Sequence, residues 1–189
     1  IQLFGQIHTN VALSLNNLGL ALWNQSKLAE AEEATKRALD LRKKLLPADH
    51  QDIGMTLVNL ASIQWMRADF SPVETNFGEA LLLFKKRGNQ TAVGVLQANL
   101  ATVYLRRGDL AAAQEMHEKT LTLRQQLFKG DHPHVEISLT QLGLVLASRG
   151  DVDAAEARFK EALAMQEKLG LGRHADVADV HRAGERLRA

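Results

Sequence analysis

A leucine followed by glycine or alanine recurs along this chain at a nearly constant interval. Successive copies of the leucine are 42, 40 and 42 residues apart, and flanking positions follow the same frame. Self-similarity of this kind indicates an array of like repeats rather than a single globular core. The four pairs are Leu18-Gly19, Leu60-Ala61, Leu100-Ala101 and Leu142-Gly143.

Each repeat contains two stretches with the period of an amphipathic helix. In the fourth repeat, apolar residues follow helical spacing twice, at Val135, Leu139, Leu142 and Leu146, and again at Ala155, Phe159 and Ala162. Between the stretches, Gly150 is expected to end the first helix, and Asp151 to accept hydrogen bonds from amides of the second. Gly108 and Asp109 occupy the same places in the third repeat.

Helix pairs of this kind cannot bury their apolar stripes alone. They form a continuous core by stacking, which usually takes at least three repeats. Four are present, and small residues at the Gly19 and Ala31 positions allow the two helices of a pair to approach closely. With only three prolines in 189 residues, the sequence predicts an all-α solenoid of about four helix-turn-helix repeats.

Composition excludes several classes of function. The 23 basic and 22 acidic residues leave a net charge of +1, too small for electrostatic capture of nucleic acid or an anionic membrane. Without cysteine there is no thiolate metal site and no cysteine nucleophile. No apolar run reaches the roughly 18 residues of a transmembrane helix, and no signal-peptide pattern opens the chain. We therefore expect a cytoplasmic protein.

The repeats resemble the tetratricopeptide repeat, in its 42-residue kinesin-light-chain-like subtype. Residues 8–19 and 132–143 are similar to the opening of the first helix of that subtype, and residues 27–32 and 151–156 to the opening of the second. The resemblance implies a right-handed α-solenoid. Gln64 and His117 depart from it, because the family prefers aromatic residues at those positions.

The repeat frame gives a domain division for the whole chain. The expected segments are the end of a preceding repeat at 1–7, four repeats at 8–49, 50–89, 90–131 and 132–173, and a capping helix or partial fifth repeat at 174–189. Because the first residues match the tail of a repeat and the chain begins with Ile1 rather than Met, we expect a piece of a longer array.

The resemblance also implies a binding face, since first helices line the concave side in this family. The residue before each key leucine then points into the groove: Asn17, Asn59, Asn99 and Gln141. Carboxamides suit an extended peptide, because they offer both donors and an acceptor to its backbone. The alternative is that these amides form hydrogen bonds within the repeats.

Apolar side chains accompany the carboxamides on the same predicted face. The candidate contact residues are Leu20, Trp23, Trp65 and Met66, with Leu13, Met55, Val95, Leu105, Ile137 and Leu144 extending the strip. Aromatic residues beside flexible methionine are typical interface anchors. Packing within the solenoid is the alternative interpretation. Arg106 is the best cationic candidate, with Arg67, Arg107 and Arg149 near the inner turns.

Other charged residues receive structural interpretations. His8, His50, His132 and His174 recur at one repeat position, which indicates turn geometry rather than a metal site. Charges on the second helices are interpreted as a solvated face: Glu30, Glu32, Glu33, Lys36 and Arg37. We find no catalytic constellation and expect neither an enzyme nor a cofactor.

The predicted function is that of a scaffold or adaptor that binds a partner's peptide, extended or helical and with apolar side chains. Nucleic acid and membranes are not expected as partners. The alternatives are self-association into a homo-oligomer through the apolar strip, and a regulatory sensor arm of a larger signalling protein. The fold itself does not choose among these, because it serves many functions.

Overall fold

The computed structural model describes residues 9–170, which form eight α-helices and no β-strand. The helices are α1 (Thr9–Asn24), α2 (Leu28–Leu45), α3 (Gln51–Met66), α4 (Phe70–Lys86), α5 (Gln90–Arg106), α6 (Leu110–Leu127), α7 (Pro133–Ser148) and α8 (Val152–Leu169). The predicted all-α fold with helices in successive pairs is confirmed. The segments 1–7 and 174–189 lie outside the described residues.

The chain divides into an N-terminal unit, Ile1–Leu96, and a C-terminal unit, Gln97–Ala189. The division falls inside α5. In the N-terminal unit α1 packs on α2, α2 on α3, and α3 on α4. Its buried apolar residues come from all of these helices and include Ala12, Ala31, Ile53, Leu57, Leu60, Val73, Phe77 and Phe84.

Close approach of α1 to α2 depends on Gly19. A Cβ atom added there would lie 3.2 Å from the carbonyl oxygen of Ala31 and would collide with Oγ1 of Thr35. The expectation that small residues let paired helices approach is therefore confirmed for this pair.

In the C-terminal unit α7 packs against both α6 and α8. One cluster of buried side chains joins the three helices: Leu121, Val135, Leu139, Leu142, Leu146, Ala155, Phe159 and Ala162. Phe128 and Met165 pack against this cluster from its edges. The helical stripes read from the sequence of the fourth repeat are thus the core of this unit.

The turns inside the third and fourth pairs follow the expected glycine chemistry. Gly108 and Gly150 have φ values of 79° and 85°, in the left-handed region that ends a helix. Asp109 Oδ1 accepts a hydrogen bond of 3.0 Å from the third amide of α6. The same prediction for Asp151 is wrong, because its side chain caps no amide of α8 and instead lies 3.9 Å from Nε of Arg149.

The recurring histidines cap first helices, which confirms turn geometry as their role. Nδ1 of His50 accepts from the amide of Asp52 at 3.2 Å, and Nδ1 of His132 accepts from the amide of His134 at 3.1 Å. The His132 ring also stacks on Phe128, with centroids 3.8 Å apart. His8 and His174 lie outside the described residues.

Within residues 9–170, no helix combines the length and the hydropathy that a transmembrane span requires. The same residues contain no group of three or more His, Cys, Asp or Glu side chains placed to hold a metal ion.

Candidate functional site

The candidate contact residues of the N-terminal unit share one face of α1 and α3. On α1, Leu13, Asn17 and Leu20 are spaced i, i+4 and i+7, so they line one side of the helix. Met55 and Asn59 hold the same repeat positions on α3. We call this surface the α1/α3 face; its residues are Leu13, Asn17, Leu20, Trp23, Met55, Asn59, Trp65 and Met66.

A hydrogen bond between two carboxamides joins the helices at this face. Nδ2 of Asn59 donates to Oδ1 of Asn16 at 3.1 Å, and Asn16 is buried. Asn59 therefore has a structural role, between two repeats rather than within one. One Nδ2 hydrogen and the Oδ1 atom of Asn59 are not used by this bond, so contact with a ligand stays a prediction.

The other three predicted carboxamides differ in exposure. Asn17 is exposed on α1, while Asn99 on α5 and Gln141 on α7 are half-buried. Asn59 belongs to the N-terminal unit with Asn17, whereas Asn99 and Gln141 belong to the C-terminal unit. The structure thus brings Asn59 to α1, beside the buried Asn16, and it leaves the binding role of all four as a prediction.

Large apolar side chains are left in solvent at one repeat position. Leu13, Met55, Val95 and Ile137, each five residues before a key leucine, are between 45% and 48% exposed. Met66 is also exposed, and Leu20 is half-buried. Exposed apolar residues are common singly, but the same partial exposure at the same position of four helices indicates a repeated surface feature.

The two tryptophans are half-buried. The Trp65 ring packs edge-on against Phe70 at the start of α4, with centroids 5.0 Å apart and planes at 66°. Part of Trp65 therefore closes the corner between α3 and α4. The exposed remainder of each indole is available for contact, and contact itself stays a prediction.

The arginines near the turns have different environments. Arg106 is exposed at the end of α5. Arg67, by contrast, donates to the carboxylate of Glu32 on α2. Arg67 is thereby committed to an ion pair inside the N-terminal unit.

Glu32 was expected on a solvated face, and that expectation is wrong. Its side chain is buried, with Lys36 Nζ at 2.7 Å and Gln64 Nε2 at 3.1 Å from Oε1. Gln64 in turn accepts from Nδ2 of Asn76 at 2.8 Å. Burial raises the pKa of Glu32, but the hydrogen bonds from Lys36, Gln64 and Arg67 and the charge of Lys36 outweigh it, so the net pKa is lowered.

The sequence itself signals this network at Gln64. Gln64 stands where an apolar or aromatic side chain is expected, and a buried amide requires hydrogen-bonding partners. Glu32 is 32 residues away along the chain, on the helix that packs against α3. We call Glu32, Lys36, Gln64, Arg67 and Asn76 the Glu32 network.

Comparison with known proteins gives consistent matches to one kind of repeat. Two family models described as tetratricopeptide repeat match residues 11–52 and residues 93–168. Together the matched ranges cover more than half of the 189 residues.

A curated relative is the mitochondrial tetratricopeptide repeat protein 19 homolog of Drosophila melanogaster. It is 32% identical over 103 residues, which are 54% of this chain and 28% of that protein. The match thus spans little more than a quarter of the relative.

Solved structures extend the likeness over most of the chain. BtubC (BKLC) from P. vanneervenii is 25% identical with a TM-score of 0.77, over 87% of this chain and 66% of that one. A candidate kinesin light chain of Podosopora anserina, with nearly identical TPR-like repeats, has a TM-score of 0.79 at 18% identity, over 87% of this chain and 79% of that one. The second likeness concerns the fold alone.

Proposed function

Because the chain belongs to the tetratricopeptide-repeat family and shares its fold with kinesin light chain-like structures, we propose that it binds a segment of a partner protein on its α1/α3 face. The fold is one that typically serves as a protein-interaction scaffold. The use of this particular face, and the chemistry of the partner, are the proposal.

The observation that carries the proposal is the exposure of Leu13 and Met55. Each keeps nearly half of its surface in water at the same position of its helix, and Met66 adds a third exposed apolar side chain. Covering apolar surface is favourable by about 25 cal/mol per Å². A peptide with apolar side chains is the partner that this composition favours.

The carboxamides supply the polar part of the proposed contact. Asn17 is exposed, and Asn59 keeps a donor and an acceptor beyond its bond to Asn16. Such groups pair with backbone amides of an extended segment without requiring a particular sequence. The half-buried Trp23 and Trp65 would then hold side chains of the peptide. In the C-terminal unit we assign backbone contact to Asn99 and Gln141, and contact with an acidic residue of the peptide to Arg106.

The proposal gives the chain a binding role without catalysis or cofactor. Localisation in the cytoplasm is proposed with it, and the mitochondrial name of the curated relative is a property of that protein.

The test selects peptides from a random library on the immobilised chain and measures their affinity by fluorescence anisotropy. Met55→Asp should weaken the selected peptides at least about tenfold, because a charge replaces an apolar contact. The matched control is Leu82→Asp, since Leu82 is 69% exposed on α4, a second helix of a pair. Equal losses in both variants, or no loss in either, would count against the α1/α3 face.

A second candidate function is self-association through the same exposed apolar side chains. Leu13 and Met55 are 48% and 47% exposed, and a second copy of the chain would cover them as a peptide would.

Light scattering over a range of concentrations separates the two functions. A dimer that dissociates on dilution and is lost on Trp65→Ala would favour self-association. A monomer at all concentrations that still binds selected peptides would favour the scaffold.

A further inference from the structure

A cleft of about 370 Å³ opens between α6, α7 and α8, and none of the predicted contact residues lines it. Its apolar floor is formed by Leu121, Leu142 and Leu146, and its polar rim by Gln114, Glu118 and Arg158. The volume lies within the range of small-ligand sites, which starts at about 300 Å³. All lining residues belong to the C-terminal unit.

At the equivalent place in the N-terminal unit, the protein's own polar side chains pair with one another. Each lining residue has a counterpart 82 residues earlier, and the counterparts of Gln114 and Glu118 are Glu32 and Lys36. Those belong to the Glu32 network, in which Lys36 places its ammonium 2.7 Å from the carboxylate of Glu32. The C-terminal unit has no lysine at this point, because Glu118 stands there instead.

Two other members of the Glu32 network are also replaced in the C-terminal unit. Leu146 replaces Gln64, and Arg158 replaces Asn76. Arg158 turns to Glu161 on its own helix, with an N–O distance of 2.9 Å. The amides that closed the N-terminal site are therefore absent, and the cleft remains open over its leucine floor.

Two acceptors at the rim remain for a donor from outside. Among the described residues, Gln114 Oε1 is buried without a hydrogen-bond partner. The Nε2 of the same amide donates to Glu118 Oε1 at 2.8 Å, so the two side chains lie next to each other. A buried acceptor without a partner is destabilising, so a donor that reaches it is favoured.

We propose that this cleft binds a lysine side chain of a partner protein. The methylene groups of the lysine lie on Leu121, Leu142 and Leu146, and its ammonium meets Gln114 Oε1 and the Glu118 carboxylate. An apolar floor beside two acceptors, one of them the Glu118 carboxylate, suits a long aliphatic cation. Arg158, the cation at the rim, is paired with Glu161. The ligand's ammonium thereby takes the part that Lys36 has in the N-terminal unit.

The experiment is an NMR titration of the whole chain with n-butylammonium, a mimic of the lysine side chain. We expect shifts concentrated at the Gln114 side-chain amide and at the methyl groups of Leu142 and Leu146. Butyrate, which has the same apolar length and the opposite charge, should bind at least about fivefold more weakly. Shifts spread over surface acids, or stronger binding of butyrate, would overturn the proposal.

Two variants make the test specific. Glu118→Gln should weaken butylammonium roughly fivefold, while Glu33→Gln, an exposed acid of the N-terminal unit, should leave it unchanged. Equal weakening by both would show nonspecific attraction to acids and would refute the site. Leu146→Phe, which fills the cleft, should abolish binding, with circular dichroism used to verify folding; retained binding in that folded variant would likewise refute it.

Discussion

The ring of Phe159 on α8 lies directly against the backbone of Gly143 on α7. A Cβ atom added to Gly143 would be 2.7 Å from Cζ and 2.8 Å from Cδ1 of Phe159, and closer still to Cε1. Real Cβ atoms are not found so near to ring carbons. The buried ring belongs to the core of the C-terminal unit, where close packing leaves it little room to move.

Gly143→Ala should therefore destabilise the protein, although alanine is the better helix former. Overpacking of a core usually costs about 1–3 kcal/mol. The control is Gly78→Ala on α4, where an added Cβ meets nothing within 4 Å; it should stabilise by up to about 1 kcal/mol. Urea denaturation of both variants measures the difference, and a stabilising Gly143→Ala would contradict the tight contact.

Replacement of Ala68 by glycine should stabilise the protein. Ala68 and Ser26 have φ values of 58° and 61° at the turn positions where Gly108 and Gly150 stand in the later repeats. The left-handed region costs roughly 1–2 kcal/mol for a residue with a Cβ. Ala68→Gly should thus raise the free energy of unfolding by about 1 kcal/mol, as measured by urea denaturation.

The control for that change is Ala164→Gly, at an exposed position in the interior of α8. There glycine should lower stability by roughly 0.5–1 kcal/mol, because it adds conformational entropy to the unfolded chain. If both substitutions destabilise, the turn at Ala68 does not carry the strain inferred from its φ.

Features that depend on local sequence were predictable. Helix pairs, the glycine stops at Gly108 and Gly150, and the capping role of His50 and His132 follow from residues within a few positions of each other. Local chemistry of this kind repeats with the sequence period, so four copies strengthen the inference.

Features that depend on residues distant along the chain were not predictable. The bond from Asn59 to Asn16 joins residues 43 positions apart, and no periodic pattern specifies it. The burial of Glu32 likewise depends on Arg67, 35 residues away. Charged residues are usually exposed unless paired, so without the pairing the solvated interpretation was the natural one.

The contacts between consecutive helix pairs were only partly predictable from the sequence. Arg42 donates to the hydroxyl of Thr56, and Arg124 donates to that of Ser138 at 2.8 Å. Two of the junctions between repeats therefore contain the same arginine–hydroxyl hydrogen bond. At the junction between the second and third repeats, the corresponding residues are the apolar Phe84 and Leu96, both buried. The sequence shows that both polar residues are replaced by apolar ones at this junction. Only the structure of the other two junctions shows that these two positions are in contact, which explains why they change together.

His117 gives the protein a specific sensitivity to acid. The side chain is buried on α6, and among the described residues its Nε2 has no hydrogen-bond partner. Burial, and secondarily the charge of Arg124, lowers the pKa of His117 to about 4. The unfolded chain, with a pKa near 6.5 for this group, binds the proton more readily than the folded chain.

Stability from this group is therefore complete above pH 6.5 and is lost as the pH falls towards about 4. The loss should reach roughly 3 kcal/mol, at about 1.4 kcal/mol per pH unit. His117→Phe, which copies Phe77 and Phe159 at the same repeat position, should remove it. The measurement is the unfolding free energy of both proteins between pH 7 and pH 4; parallel curves would disprove the role of His117.

Alanine substitutions of Asn17 and Asn59 should separate an effect on peptide affinity from an effect on stability. Asn59→Ala removes the donor to the buried Asn16, so it should cost about 1 kcal/mol of stability as well as affinity. Asn17 is exposed, and Asn17→Ala should weaken selected peptides by about 1 kcal/mol per lost bond while thermal unfolding stays nearly unchanged. A loss of affinity in Asn59→Ala alone would mean that the carboxamide pair shapes the α1/α3 face without Asn17 touching the peptide. Unchanged affinity in both would remove the carboxamides from the proposed contact and leave the exposed apolar side chains as its basis.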